Sequence, residues 1–149
     1  MEWIRKLRGT IVGLDSAPLI YFVELHPVYL PLVDPFFEAM ELGEIQVVTS
    51  TLTLTEVLVH PYKYGNRTLA HLYSSILLDS HNIKTFPVSA EIATKAAQLR
   101  ASYGLKTPDS IQLATAQAGS AKVFLTNDNH FETLPGIEII CLDELLKVI

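Results

Sequence analysis

Cysteine is nearly absent from this chain: its 149 residues include one, Cys141. A lone thiol excludes an internal disulfide framework and a four-cysteine zinc site. The expected compartment is therefore a reducing cytoplasm. Cations are also scarce. Eleven Lys and Arg stand against 16 Asp and Glu, a formal charge of −5. A protein that held nucleic acid by bulk electrostatics would ordinarily be basic. No run reads as a membrane span, since the apolar stretch 11–23 is short and interrupted by Asp15 and Pro18. A signal peptide is excluded as well. Met1 to Arg8 mixes Arg5, Lys6 and Arg8 with Trp3, Ile4 and Leu7, and no long uncharged stretch or small-residue cleavage site follows. That segment reads as an amphipathic lead-in to the first strand. Seven Gly and eight Pro are too few for collagen-like or low-complexity sequence.

What the chain does have is apolar mass. Hydrophobic residues make up 49% and charged residues 18%, which excludes intrinsic disorder. One domain over residues 1–149 is expected, large enough to bury roughly 68–70% of its unfolded surface without disulfides or a structural metal. Five short apolar runs read as strands: 10–14, 45–48, 83–86, 122–125 and 137–140. Helical patterns fall between them. One follows Asp15 or Ser16 as cap, with Pro18 in its first turn, and breaks at His26-Pro27; another covers 28–42 and stops at Gly43. Further helices are expected over 51–60 (stopped by Pro61), 67–78, 89–103 (closed by Gly104) and from Thr107-Pro108 to near Gly119. A short turn over 129–134 and a last helix over 142–148 complete the string. Strands alternating with helices predict an α/β/α sandwich around a mostly parallel five-stranded sheet.

In open α/β sheets, ligands bind beyond the carboxyl ends of the strands. Asp15 follows the first strand. Glu56 lies in the helix after the second. Asp109 opens the helix that leads into the fourth, and Asp128 follows the fourth. Each has a structural reading of its own. Asp15 can be an N-cap. Thr53-x-x-Glu56 can be a capping box. Asp109, with Thr107 as cap and Pro108 at the first helical position, suits the helix dipole. Asp128 between two asparagines is a turn signature. Together at one sheet end, four carboxylates would repel and need protonation or a cation. An all-oxygen set without His or Cys favours Mg²⁺ or Mn²⁺ over Zn²⁺, and such sites serve phosphate chemistry.

Four motifs then carry a resemblance that spans nearly the whole chain, from about Thr10 to Leu146. They are an apolar strand ending in Asp15-Ser16, with Tyr21-Phe22 in the next helix; Thr53-Leu54-Thr55-Glu56-Val57; Pro108-Asp109-Ser110-Ile111-Gln112-Leu113-Ala114-Thr115-Ala116; and Phe124-Leu125-Thr126-Asn127-Asp128 followed by Phe131. In order and spacing the chain resembles PIN-domain ribonucleases of the VapC-type toxin branch. The resemblance implies a metal site of Asp15, Glu56, Asp109 and Asp128, supported by hydroxyls of Ser16 and Thr126. It implies Mg²⁺- or Mn²⁺-dependent cleavage of single-stranded RNA (tRNA, rRNA or mRNA) leaving a 3′-hydroxyl and a 5′-phosphate. It also implies a homodimer and, in type II toxin–antitoxin pairs, a small antitoxin that blocks the site. The chain departs from the pattern in its extension, Met1 to Gly9, and in its acidic balance.

Two other function classes compete with this reading. A metal-dependent phosphatase with Asp15 as nucleophile would need a second Asp two residues on, where Ala17 stands. A PIN-like module that only binds would have no reason to hold Mn²⁺ at this cluster. The five histidines lack metal-ligand spacing, and a general-base role for His130 ranks low. Cys141 reads as a small buried hydrophobe, and Tyr21 and Phe22 as core or interface. Lys63 with Arg67, and Arg100 with Lys106, are candidate phosphate contacts, although most surface charges are simply solvated.

Overall fold

Strands in this chain are short and apolar on both faces, which suits a sheet covered by helices on each side. A computed structural model, describing residues 1–131 and 134–148, has that architecture. Strands β1 (Ile11–Leu14), β2 (Gln46–Ser50), β3 (Ile83–Phe86), β4 (Val123–Thr126) and β5 (Glu138–Cys141) form one sheet in the order β3-β2-β1-β4-β5. Every pairing is parallel. The helices are α1 (Glu2–Leu7), α2 (Ser16–Val23), α3 (Leu30–Glu41), α4 (Thr51–Lys63), α5 (Arg67–Asp79), α6 (Ala90–Tyr103), α7 (Thr107–Ala118) and α8 (Leu142–Leu146).

Alternation along the strands divides the core in two. Val12, Leu14, Val47, Val123 and Leu125 meet Leu19, Phe36, Phe37, Tyr73 and Leu77 from α2, α3 and α5. Val48 and Phe124 meet Ile92, Ala96, Leu99 and Leu113 from α6 and α7 on the opposite face. The amphipathic lead-in is a helix whose Trp3, Ile4 and Leu7 join the first of these cores, with Trp3 stacked on Phe36. On the second face the packing is close at Gly13. A Cβ there would lie 2.5 Å from Ala116 Cβ, so the missing side chain lets α7 sit directly on β1. That approach fixes the helix that carries Asp109.

Several boundaries differ from the sequence reading. Strands β2 and β4 run on to Ser50 and Thr126, past the apolar runs, because those hydroxyl residues still pair in the ladder with Phe86 and Cys141. Pro61 does not stop α4, which continues to Lys63. A proline removes the hydrogen bond of its own nitrogen, but the turn is closed by Tyr64 N donating to His60 O and Asn66 N donating to Pro61 O. Lys106, not Thr107, is the N-cap of α7. The last helix ends at Leu146. Of the turn expected over 129–134, Asn129 and His130 form a turn, while residues 132 and 133 lie outside the described residues.

Strand order decides where a ligand can enter. From β1 the chain moves outward to β2 and β3, then returns to the other side of β1 for β4 and β5. The reversal between β1 and β4 is a topological switch point, and the crevice outside the carboxyl ends of those strands is where such sheets bind ligands.

Candidate functional site

Asp15 stands on the carboxyl end of β1, at the switch point. Its extended backbone (φ −79°, ψ 167°) makes it the N-cap of α2, and Oδ1 accepts from Ser16 N at 2.9 Å. Oδ2 accepts from Thr126 Oγ1 at 2.7 Å, across the crevice from β4. Cap and site are thus one residue. Burial pushes the Asp15 carboxyl above its ordinary value despite these hydrogen bonds, and the charge of Asp128 adds to the rise.

Thr126 also organises the far side. It is fully buried, and its Oγ1 accepts from Asp128 N at 3.0 Å. One hydroxyl therefore bridges Asp15 and the Asp128 backbone. Asp128 closes its own turn, Oδ1 accepting from His130 N at 2.8 Å with His130 Nδ1 at 2.7 Å. Asn127 anchors the same loop. Its Nδ2 donates to Tyr21 Oη at 3.1 Å, and its Oδ1 accepts from Asp143 N at 2.9 Å. The asparagine read as a turn former is a tether between α2 and α8.

Asp109 sits in the first turn of α7, half-buried. Burial raises its pKa first, then the charges of Asp128 and Asp15, with Lys106 and His130 working against them. Glu56 projects from the second turn of α4. Burial raises it as well, followed by the charge of Asp15, with a smaller contribution from Asp109; Ser16 and Gln112 hydrogen bonds oppose the rise. The capping box expected for Thr53 and Glu56 does not form. Ser50 is the N-cap of α4, and Thr53, the third residue of the helix, is buried.

Asp15 thus lies within charge range of Asp128, Glu56 and Asp109, and Asp109 within range of Glu56 and Asp128. Among the described residues none is paired with Lys or Arg. As placed, however, they are not drawn into a ligand shell: among the described residues no three His, Cys, Asp or Glu side chains are grouped to hold a metal ion. Their all-oxygen donor set fits a hard divalent cation, although His130 already contacts Asp128 and the Lys106 charge reaches Asp109.

Sequence reasoning overlooked the scaffold behind them. Thr49, Ser50, Thr53 and Gln112 are buried polar residues in a single hydrogen-bonded chain. Thr49 Oγ1 donates to Leu14 O (2.9 Å), so the 2.7 Å contact between Thr49 and Thr53 is donated by Thr53. Gln112 Nε2 then donates to Thr53 Oγ1 (2.7 Å) and reaches Glu56 Oε1 (3.4 Å), while its Oε1 accepts from Ser50 Oγ (2.9 Å). The available signal was Gln112 itself, an amide three residues after Asp109 in a helix whose other buried residues are small or apolar.

The raised carboxyl groups have a consequence for stability. Asp15, Glu56 and Asp109 bind protons more readily folded than unfolded. Their favourable contribution is complete below the ordinary carboxylate range and is lost as pH rises through their folded values. In chelator, urea unfolding should show wild type losing stability relative to Asp15→Asn between acidic and neutral pH. Parallel curves would show that the carboxylates do not strain the metal-free fold.

A family model described as PIN domain matches residues 14–137 of the chain. Among solved structures, the chain is similar to VapBC from Rickettsia felis bound to promoter DNA, with 16% identity over 88% of this chain and 98% of that one and a TM-score of 0.66. It is also similar to a toxin–antitoxin complex from Klebsiella pneumoniae (24% identity, 90% and 98% covered, TM-score 0.65). A VapC toxin of Mycobacterium tuberculosis that cleaves the sarcin-ricin loop aligns at 13% identity, over 77% and 87% of the two chains, with a TM-score of 0.63. At these identities the likeness is one of fold. No curated protein matches the chain.

Proposed function

As the chain belongs to the PIN domain family, we propose that it is a metal-dependent endoribonuclease for single-stranded RNA, the toxin of a type II toxin–antitoxin pair. The observation that carries this reading is Asp15 at the switch point of the sheet, its carboxylate held by Ser16 N and Thr126 Oγ1 within charge range of Glu56, Asp109 and Asp128, none of which has a Lys or Arg salt-bridge partner among the described residues. Asp15, Asp109 and Asp128 would hold Mg²⁺ or Mn²⁺, and Glu56 would complete the set. When bound, the cation supplies an activated water and positive charge for the phosphate oxygens.

The chain's own residues do the positioning. Ser16 N and Thr126 Oγ1 hold the two oxygens of the Asp15 carboxylate, one each. The His130 turn holds Asp128, and Gln112 holds Glu56. The phosphodiester breaks at its 3′-side oxygen, leaving a 3′-hydroxyl and a 5′-phosphate. A small antitoxin and a second copy of the chain are the proposed partners; the likeness to a toxin–antitoxin complex supports the antitoxin. A reducing cytoplasm is the proposed compartment, and among the described residues no helix is long and apolar enough to cross a membrane.

The test is incubation of purified, inhibitor-free protein with a pool of structured and single-stranded RNA, in Mn²⁺, in Mg²⁺ and in chelator. Metal-dependent cutting of the single strands is expected. A folded protein that cuts in no lane would favour the binding-module reading.

A further inference from the structure

Helix α4 starts at the crevice and leads away from it. At 100° per residue, Glu56, His60 and Lys63 fall on one face, and Lys63 lies about 10 Å along the axis from Glu56. His60 packs against Tyr64, with ring centroids 4.7 Å apart, and Lys63 Nζ lies 5.6 Å from the Tyr64 centroid. Arg67 opens α5 just beyond, after the turn at Gly65. Residues 62–68 are all exposed, and among the described residues neither Lys63 nor Arg67 is ion-paired. Arg5, Arg8 and Lys147 each have a carboxylate partner and Arg100 donates to Leu105 O, while Lys6, Lys84, Lys95, Lys106 and Lys122 are, like Lys63 and Arg67, without an ion pair among the described residues; of these only Lys63 and Arg67 flank an exposed tyrosine next to the Glu56 helix.

We propose that the α4 face from His60 to Tyr64, with Arg67, is the track for the single-stranded RNA flanking the scissile phosphate. A base stacks on Tyr64, and Lys63 and Arg67 meet the phosphates. The proposal rests on the ribonuclease reading of the carboxylate site. Its physical motive is charge. A chain with a net charge of −5 and four carboxylates in its crevice repels a polyanion, so substrate must be held by unpaired cations near the crevice. An exposed aromatic ring beside them supplies the sequence-tolerant stacking that single strands use. Tyr62 is the built-in control. It is as exposed as Tyr64, 67% against 66%, but at 100° per residue it lies about 120° from Glu56 on one side of the helix, whereas Tyr64, the C-cap, lies about 80° from it on the other, beside His60 and Lys63.

Binding is read by fluorescence anisotropy of a labelled oligouridine on the Asp15→Asn protein, so that cleavage does not intervene. Tyr64→Ala should weaken binding by roughly 5- to 150-fold without changing its salt dependence. Lys63→Gln and Arg67→Gln should each reduce the slope of log K against log salt by about 0.7. Tyr62→Ala should change neither. A 5-iodouridine oligomer should crosslink to the peptide containing Tyr64. Tyr64 and Lys63 variants that bind like their parent overturn the track. So does a Tyr64→Ala protein that binds weakly only because sedimentation shows an assembly of copies lost, which would make the face a protein interface. The two readings fail separately. Wild type that cuts RNA overturns the track alone if these substitutions leave binding unchanged on the Asp15→Asn protein and leave cutting unchanged when made in the wild-type chain. Protein that binds RNA along α4 but never cuts with Mg²⁺ or Mn²⁺ overturns the nuclease alone, and protein that binds no RNA overturns both.

Discussion

Asp109→Asn should abolish RNA cleavage and, in chelator, raise the melting temperature. The activity loss should exceed the 10- to 100-fold that outer-shell changes at metal sites typically cost, because an amide in place of a carboxylate removes a ligand charge. The stability gain has two sources. Burial disfavours the Asp109 charge most, and Asp128 and Asp15 then repel it; asparagine removes both penalties with nearly the same shape. One effect opposes them. Asp109 lies in the first turn of α7, where a negative charge is worth about 0.3–1 kcal/mol. The raised pKa means that the penalties outweigh this benefit in the folded protein. For a chain of this size each kcal/mol of relief should appear as about 2–4 °C.

Adding Mn²⁺ should reverse the order. A ligand at 100 times its dissociation constant stabilises the native state by about 2.7 kcal/mol, and only wild type has the full ligand set. The crossing of the two melting curves, variant higher in chelator and wild type higher in Mn²⁺, separates a metal site from a generally strained surface. Cleavage by Asp109→Asn at the wild-type rate would remove Asp109 from the site.

How far the sequence reaches is best seen at particular residues. Asp15, Glu56, Asp109 and Asp128 were legible because strand-to-helix order predicts which residues stand at the carboxyl end of a parallel sheet. Cap positions were read where local chemistry is self-contained, as at Ser89 and Gly104, which bound α6 as expected. Local pattern failed where tertiary partners take over. Thr53-x-x-Glu56 has the spacing of a capping box, yet Thr53 is claimed by Thr49 and Gln112, and Ser50 caps instead. Pro61 reads as a stop, yet it is buried in the last turn of α4, where only one hydrogen bond is lost. The buried chain from Gln112 to Leu14 joins residues 98 positions apart, a distance over which no periodicity carries information.

That chain makes Gln112 the second position at which a large effect is expected. Its amide has a fixed orientation: Oε1 is used by Ser50, and Nε2 must donate, because the Thr53 hydroxyl hydrogen is already committed to Thr49. Gln112→Leu would leave the buried Ser50 hydroxyl hydrogen without an acceptor and take from Thr53 one of its two hydrogen bonds, leaving the one it donates to Thr49. The unsatisfied Ser50 donor costs about 1–3 kcal/mol, and loss of the Glu56 contact should lower cleavage about 10- to 100-fold. Destabilisation alone would not separate packing from positioning, but Gln112→Glu does. The introduced carboxylate keeps the volume and can still accept from Ser50, yet at neutral pH it faces Glu56 and Thr53 with an acceptor where they need a donor. Protonated, it regains an O–H to donate. Cleavage relative to wild type should therefore be low at neutral pH and recover as pH falls. A ratio that stays flat with pH would mean that Gln112 supports the fold but does not orient Glu56.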